Sequence, residues 1–96
     1  VEIEDILLKH PDVREAAVIG SPDEDRGHVP KAFIVSVRPG DDAFTTELQT
    51  LAQTRLSRHE YPRLIEYIDE LPKLPAGKIN RKALRERDRV TYTHVV

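Results

Sequence analysis

The sequence predicts a small α+β domain: a two-layer fold with a three-stranded, mainly antiparallel sheet, covered by two amphipathic helices and followed by a short C-terminal helix. Three observations lead there. Two stretches repeat their apolar residues at the period of a helix, three short runs are rich in β-branched residues, and Pro or Gly separates them. A three-stranded sheet needs its apolar face covered, and the two striped helices are the available cover.

In chain order, Ile3, Ile6, Leu7 and His10 fall at i, i+3, i+4 and i+7, the stripe of an amphipathic helix. It should end at His10-Pro11, because proline disfavours the α conformation of the residue before it. A first strand is expected over residues 14–20, where Ala16-Ala17-Val18-Ile19 is apolar on both faces and predicts a central strand. Ser21 to His28 reads as a polar connection rich in turn formers. A second strand follows over 31–38, with Val35 and Val37 alternating against Ser36 and Arg38. Pro39-Gly40-Asp41-Asp42 makes a turn, and either aspartate could cap a helix over 45–57 striped by Leu48, Leu51, Ala52 and Leu56. Tyr61-Pro62-Arg63 leads into a third strand over 64–69. Leu71 to Gly77, with Pro72 and Pro75, reads as an irregular loop. Asn80 caps a short helix to about residue 87, with Ala83 and Leu84 inward. After Asp88 comes a tail, a frayed end or a weak strand.

Ninety-six residues make one domain, and a chain of that size buries only about 60–65% of its unfolded surface. That is enough for one core but not for a deep, closed cavity. Any chemistry should therefore lie at a boundary with something larger. Hydrophobic residues at 39% and charged residues at 33% place the chain among ordered globular proteins. The absence of Cys rules out disulfides, thiolate metal sites and a cysteine nucleophile. No apolar run approaches the ~20 residues of a membrane span, and no targeting segment is visible, so the expected compartment is the cytoplasm. Position 1 is not Met and no N-cap precedes the first helix, which reads as an excised piece.

The net charge of −2 hides an asymmetry. Residues 1–72 carry eight of the 15 Lys and Arg and fifteen of the 17 Asp and Glu, a net of −7, whereas residues 73–96 carry a net of +5. Such a basic arm attracts phosphates, or is an ordinary solvated helix face. A nucleic-acid reading lacks aromatic stacking residues beside Arg81, Lys82, Arg85 and Arg87. The histidines at 10, 28, 59 and 94 show no metal-ligand spacing, and Asp23-Glu24-Asp25 reads as an exposed acidic turn. No metal site is expected. Gly77-Lys78 resembles the end of a phosphate-binding P-loop, but Ile79 stands where that motif needs Ser or Thr.

One constellation stands out. Leu71-Pro72-Lys73-Leu74-Pro75-Ala76-Gly77-Lys78-Ile79-Asn80-Arg81 sets a lysine beside a glycine on a proline-braced loop ahead of a helix. Glycine permits close backbone approach to a ligand, and a lysine ammonium is a compact charge suited to a phosphate or carboxylate oxygen.

This segment resembles the closing P-K-[T]-x-x-G-K-[IV]-x-R motif of the adenylate-forming (AMP-binding) superfamily. Val1-Glu2-Ile3-Glu4 through His10-Pro11-Asp12-Val13 looks like that family's V-E-x-x-L-x-x-H-P-x-V. Glu15-Ala16-Ala17-Val18-Ile19-Gly20, Pro22-Asp23 and Arg26-Gly27 look like its A-A-V-[IV]-G-x-P-D-x-x-x-G, and Lys31-Ala32-Phe33-Ile34-Val35 like its K-A-F-V-V strand. Tyr61-Pro62-Arg63 with Leu71-Pro72-Lys73 looks most like the medium-chain acyl and benzoate type of acyl-CoA synthetase.

The resemblance implies that residues 1–88 are the mobile C-terminal lid of an ATP-dependent, AMP-forming acid–CoA ligase, with 89–96 as a tail. Its partners would be its own large N-terminal domain, a carboxylic acid, ATP and CoA, with Mg and most ATP contacts on the large domain; no nucleic acid and no membrane are implied. Lys78 would be the adenylation lysine. Arg26 and Gly27, with Tyr61, Pro62 and Arg63, would lie on the CoA path, and Arg55 is a weaker candidate. Upstream CoA-binding and hinge segments would precede residue 1, so the piece alone should not turn over. Ala76 stands where the family usually has Ser, Thr or Asn, and Leu74 where Thr is common, which removes a loop hydroxyl hydrogen bond that would contribute to rigidity. Two rivals remain: the lid of a peptide-synthetase adenylation domain, and a non-catalytic interaction or nucleic-acid-binding module.

Overall fold

A computed structural model describes residues 2–23, 27–56 and 61–95. The elements run α1 (Glu2–Leu7), β1 (Val13–Asp23), β2 (Gly27–Ser36), α2 (Asp42–Arg55), β3 (Leu64–Tyr67) and α3 (Arg81–Val95). The helix–strand–strand–helix–strand–helix order is the expected one. The α+β class and the three-stranded sheet hold.

The sheet order is β1-β2-β3, so β2 is central and β1 lies at an edge. This corrects the placing of β1 at the centre. Its double-sided apolar character has another cause: both faces of the sheet are covered. On one face Val13, Ala16, Ala32 and Ile34 pack with Leu7 of α1 and with Phe44 and Leu48 of α2. On the other, Ala17, Ile19, Phe33 and Val35 pack with Leu71 and with Leu84 of α3. α3 covers this second face through Leu84, so a further layer lies there, and the helix runs from Arg81 to Val95 instead of stopping near residue 87.

An edge strand carries backbone groups that no neighbouring strand satisfies. Here Val18 N–H donates to Glu4 Oε2 at 2.7 Å and Val18 C=O accepts from Arg81 Nη1 at 3.1 Å. Glu4 and Arg81 also hold each other through two hydrogen bonds, of 2.6 and 3.0 Å. Helices from both ends of the chain therefore close the edge.

β1 and β2 form one long antiparallel hairpin, with Val13 paired to Ser36 and Asp23 to Gly27. Most of the connection expected at 21–28 is therefore strand, and Ser21 is buried within it. β3 runs parallel to β2, Lys31 pairing with Leu64 and Ile34 with Tyr67. Parallel pairing requires a crossover, and α2 supplies it. Asp41 caps α2 by accepting from Phe44 N–H at 2.8 Å, which decides between the two aspartates. α1 ends at Leu7, before His10, whose Nδ1 accepts from the Asp12 N–H at 3.0 Å.

Candidate functional site

Residues 71–80 are a miniature hairpin, a correction to the irregular loop read from their prolines. Gly77 N–H donates to Leu74 C=O at 2.8 Å, and Leu74 N–H donates to Lys78 C=O at 2.7 Å. Pro75 and Ala76 occupy the turn, and Gly77 follows at φ +89°. This is the pattern of a three-residue hairpin loop closed by a left-handed glycine. Lys73 and Ile79 pair across the two arms, and Asn80 N–H donates to Pro72 C=O at 2.8 Å. Asn80 Oδ1 then accepts from Ala83 N–H at 3.1 Å and caps α3 as expected. Backbone bonds close the turn, so the side-chain hydroxyl missing at Ala76 is not needed to shape it.

Alternation decides which way each side chain looks, because successive residues of a paired ribbon face opposite sides. Ile79 packs on the core beneath α3, and Lys73 Nζ reaches Glu15 on β1 at 2.8 Å. That face looks inward. Leu74 and Lys78 therefore look outward, and Leu74 is 43% exposed. Lys78 is exposed too, and among the described residues its ammonium has no ion-pair partner.

The expected CoA residues lie at the other end of the sheet. Gly27 opens β2 at φ +78°. Arg63 N–H donates to Pro30 C=O at 3.1 Å, which brings the 61–63 segment to the start of β2. Pro62 is fully buried, and Gln49 Nε2 of α2 donates to the carbonyls of Pro62 and Arg63, each at 3.2 Å. The Arg63 guanidinium stands 5.4 Å from the centre of the Tyr61 ring. Arg26 lies outside the described residues. Arg55 is exposed in the last turn of α2. Glu15, which anchors the Lys78 hairpin, pairs with Val35, whereas Gly27 pairs with Asp23. Eight residues of strand at about 3.3 Å each separate the two ends by about 26 Å. Gly27 thus lies about 26 Å along the sheet from Glu15, and Arg63, level with Pro30 and its partner Gly20, about 16 Å.

The basic arm is partly spent on the acidic body. Arg81 pairs with Glu4, Lys73 with Glu15 and Arg87 with Glu66. Beneath α3, Lys31 Nζ donates to Glu66 Oε1 at 2.9 Å and to Asp88 Oδ1 at 2.8 Å. Burial works against the Lys31 charge, yet these two carboxylates outweigh it and raise its pKa above the ordinary lysine value. Burial would likewise raise Glu66, but hydrogen bonds from Lys31 and Arg87 hold its carboxyl below the usual range. Glu4 behaves the same way, through Arg81 and the Val18 N–H. Sequence reasoning missed Glu4, Glu15 and Glu66, since no local pattern marks carboxylates whose partners stand far along the chain.

Among the described residues no group of three or more His, Asp or Glu side chains could hold a metal ion, and no helix is long and apolar enough to cross a membrane.

Known proteins resemble this chain in sequence and in fold. The acyl-coenzyme A synthetase ACSM1 of Homo sapiens, named as mitochondrial, is 45% identical over 91 residues, which span 91% of this chain and 16% of that protein. The crystal structure of an acyl-CoA synthetase from Brucella canis superposes with a TM-score of 0.89 at 42% identity, covering 95% of this chain and 17% of that one. A benzoate CoA ligase from Burkholderia xenovorans gives 0.80 at 40% identity, over 88% and 17% of the two chains. This chain thus spans about one sixth of the length of its relatives. The model of the AMP-binding enzyme C-terminal domain matches residues 2–78, and the chain belongs to that family.

Proposed function

We propose that this domain is the mobile C-terminal lid of an ATP-dependent, AMP-forming acid–CoA ligase. Residues 1–88 form the lid in this reading, and the rest of α3 is its continuation. In the first half-reaction a carboxylate oxygen attacks the α-phosphorus of ATP, forming an acyl adenylate and releasing pyrophosphate. In the second, the thiol of CoA attacks the acyl carbon, and AMP leaves.

One observation carries the reading: an outward-facing ammonium at Lys78, unpaired among the described residues, on a hairpin closed by its own backbone. Presented to a site on a larger domain, that charge bridges the acid and the α-phosphate. It orients the nucleophile and offsets negative charge growing at phosphorus. Leu74 beside it is an apolar neighbour that helps exclude water on docking.

The other end of the sheet serves the second half-reaction. Gly27 at the start of β2, Arg26 before it in sequence, and Tyr61, Pro62 and Arg63 take the nucleotide end of CoA. Guanidinium groups suit its phosphates, and the Tyr61 ring is available for stacking. With about 26 Å of strand between the two ends, the domain would present one end at a time, which is why a mobile lid suits it. The relatives named acyl-coenzyme A synthetase and benzoate CoA ligase support this choice. The magnesium that accompanies ATP is assigned to the large domain, with most ATP contacts.

The test is Lys78→Ala in the full-length enzyme, read in each half-reaction separately. Adenylate formation should be abolished, while thioester formation from a supplied acyl adenylate persists. An equal loss in both would refute the role given to Lys78.

A further inference from the structure

We propose that Lys73, through its ion pair with Glu15, is a positioning residue for Lys78; this rests on the role given to Lys78 above. A two-armed ribbon as short as 73–79 is marginal by itself, so its direction depends on what its inner face touches. That face offers Lys73 and Ile79, the bridged pair. Ile79 contributes an apolar contact with the core beneath α3, and apolar contact has no direction. The ion pair of Lys73 with Glu15, at 2.8 Å, fixes one point of the ribbon instead, and it ties that point to β1, which is paired with β2.

Two further features support the tie. Beyond the register shift that separates it from Val13, Glu15 keeps the alternation of Ala17 and Ile19, so its carboxylate looks to the face on which Leu71 and Ile79 pack. Moreover, the two side chains are 40% and 36% exposed, and pairs this open add little to global stability. Their contribution is local. Without the tie the ribbon rocks about Ile79 and carries the outward Lys78 ammonium off its target, and misplacement by about 1 Å lowers rate by as much as about a hundredfold.

The experiment uses the full-length enzyme with the two half-reactions measured apart. Lys73→Ala should lower the rate of adenylate formation about tenfold through kcat, leaving KM for ATP within about twofold. Thioester formation from a supplied acyl adenylate should fall less than about twofold. Lys73→Arg, which keeps the charge, should restore adenylation. Lys73→Glu should be worse than alanine, and adding Glu15→Lys should recover most of the loss. The proposal is overturned if Lys73→Ala adenylates at the wild-type rate, if both half-reactions fall together, or if the charge swap gives no recovery. Lys78→Ala in parallel separates the failures. If it abolishes adenylation while Lys73→Ala does not, the positioning role alone is lost; if Lys78→Ala adenylates normally, the reading of Lys78 is lost with it.

Discussion

Gly77→Ala isolates the part of the Lys78 hairpin that depends on backbone conformation. Gly77 sits at φ +89°, and a Cβ built there meets nothing within 4 Å. No collision adds to the cost, so the penalty is conformational, about 1–2 kcal/mol for an L-residue in left-handed space. Opposing it are the two backbone bonds that close the turn, worth about 0.5–1.5 kcal/mol each. These magnitudes are comparable, so Gly77→Ala opens the tip in an appreciable fraction of molecules without unfolding the domain. Urea unfolding should show a loss of about 1–2 kcal/mol, and adenylate formation by the full-length enzyme should fall more than that loss would suggest. Gly77→Asn should lose less, since asparagine tolerates left-handed space better than alanine. Equal losses for Ala and Asn, or a loss beyond about 3 kcal/mol, would show that something other than the positive φ is at work.

Two further outcomes follow from the charges beneath α3 and along the β1 edge. Lys31→Met leaves the buried Asp88 carboxylate without its partner and should destabilise by about 3–5 kcal/mol in urea unfolding. Adding Asp88→Leu should return most of that, and a double variant no better than the single would contradict the pairing. Glu4 and Glu66 are held below the ordinary glutamate pKa in the folded chain, so the unfolded chain binds protons first as pH falls. Their stabilisation is fully present above the unfolded value of about 4.3 and disappears as pH drops through the lower folded values. Urea unfolding at neutral pH and near pH 3 should show a smaller acid loss in Glu4→Gln and Glu66→Gln than in the parent; an identical loss in all three would refute the assignment.

Much of the candidate site was legible in the chain itself. The order of elements follows from local periodicity, and the cap at Asn80 and the helix start after Asp41 from local hydrogen-bonding chemistry. Lys78 is singled out by its own neighbours, Pro75, Gly77 and Ile79. Local pattern misled where two structures share one signature. A strand apolar on both faces reads as central, yet β1 is an edge that two layers of helix cover. A proline-rich segment reads as irregular, yet residues 71–80 form a closed turn.

What the sequence by itself determined is thus much of what depends on residues a few positions apart: the order of helices and strands, the caps at Asn80 and ahead of α2, and the lysine set beside its glycine. Tertiary structure alone decided the edge position of β1, the parallel pairing of β3 and the partners of the carboxylates. Glu4 meets Arg81, Glu15 meets Lys73, and Glu66 meets Lys31 and Arg87. These contacts join residues that only the closed sheet brings together. The outward aim of Lys78 belongs to the same class, because it follows from Ile79 finding a core that includes Ala17 and Phe33 and from Lys73 finding Glu15, all far away in the chain.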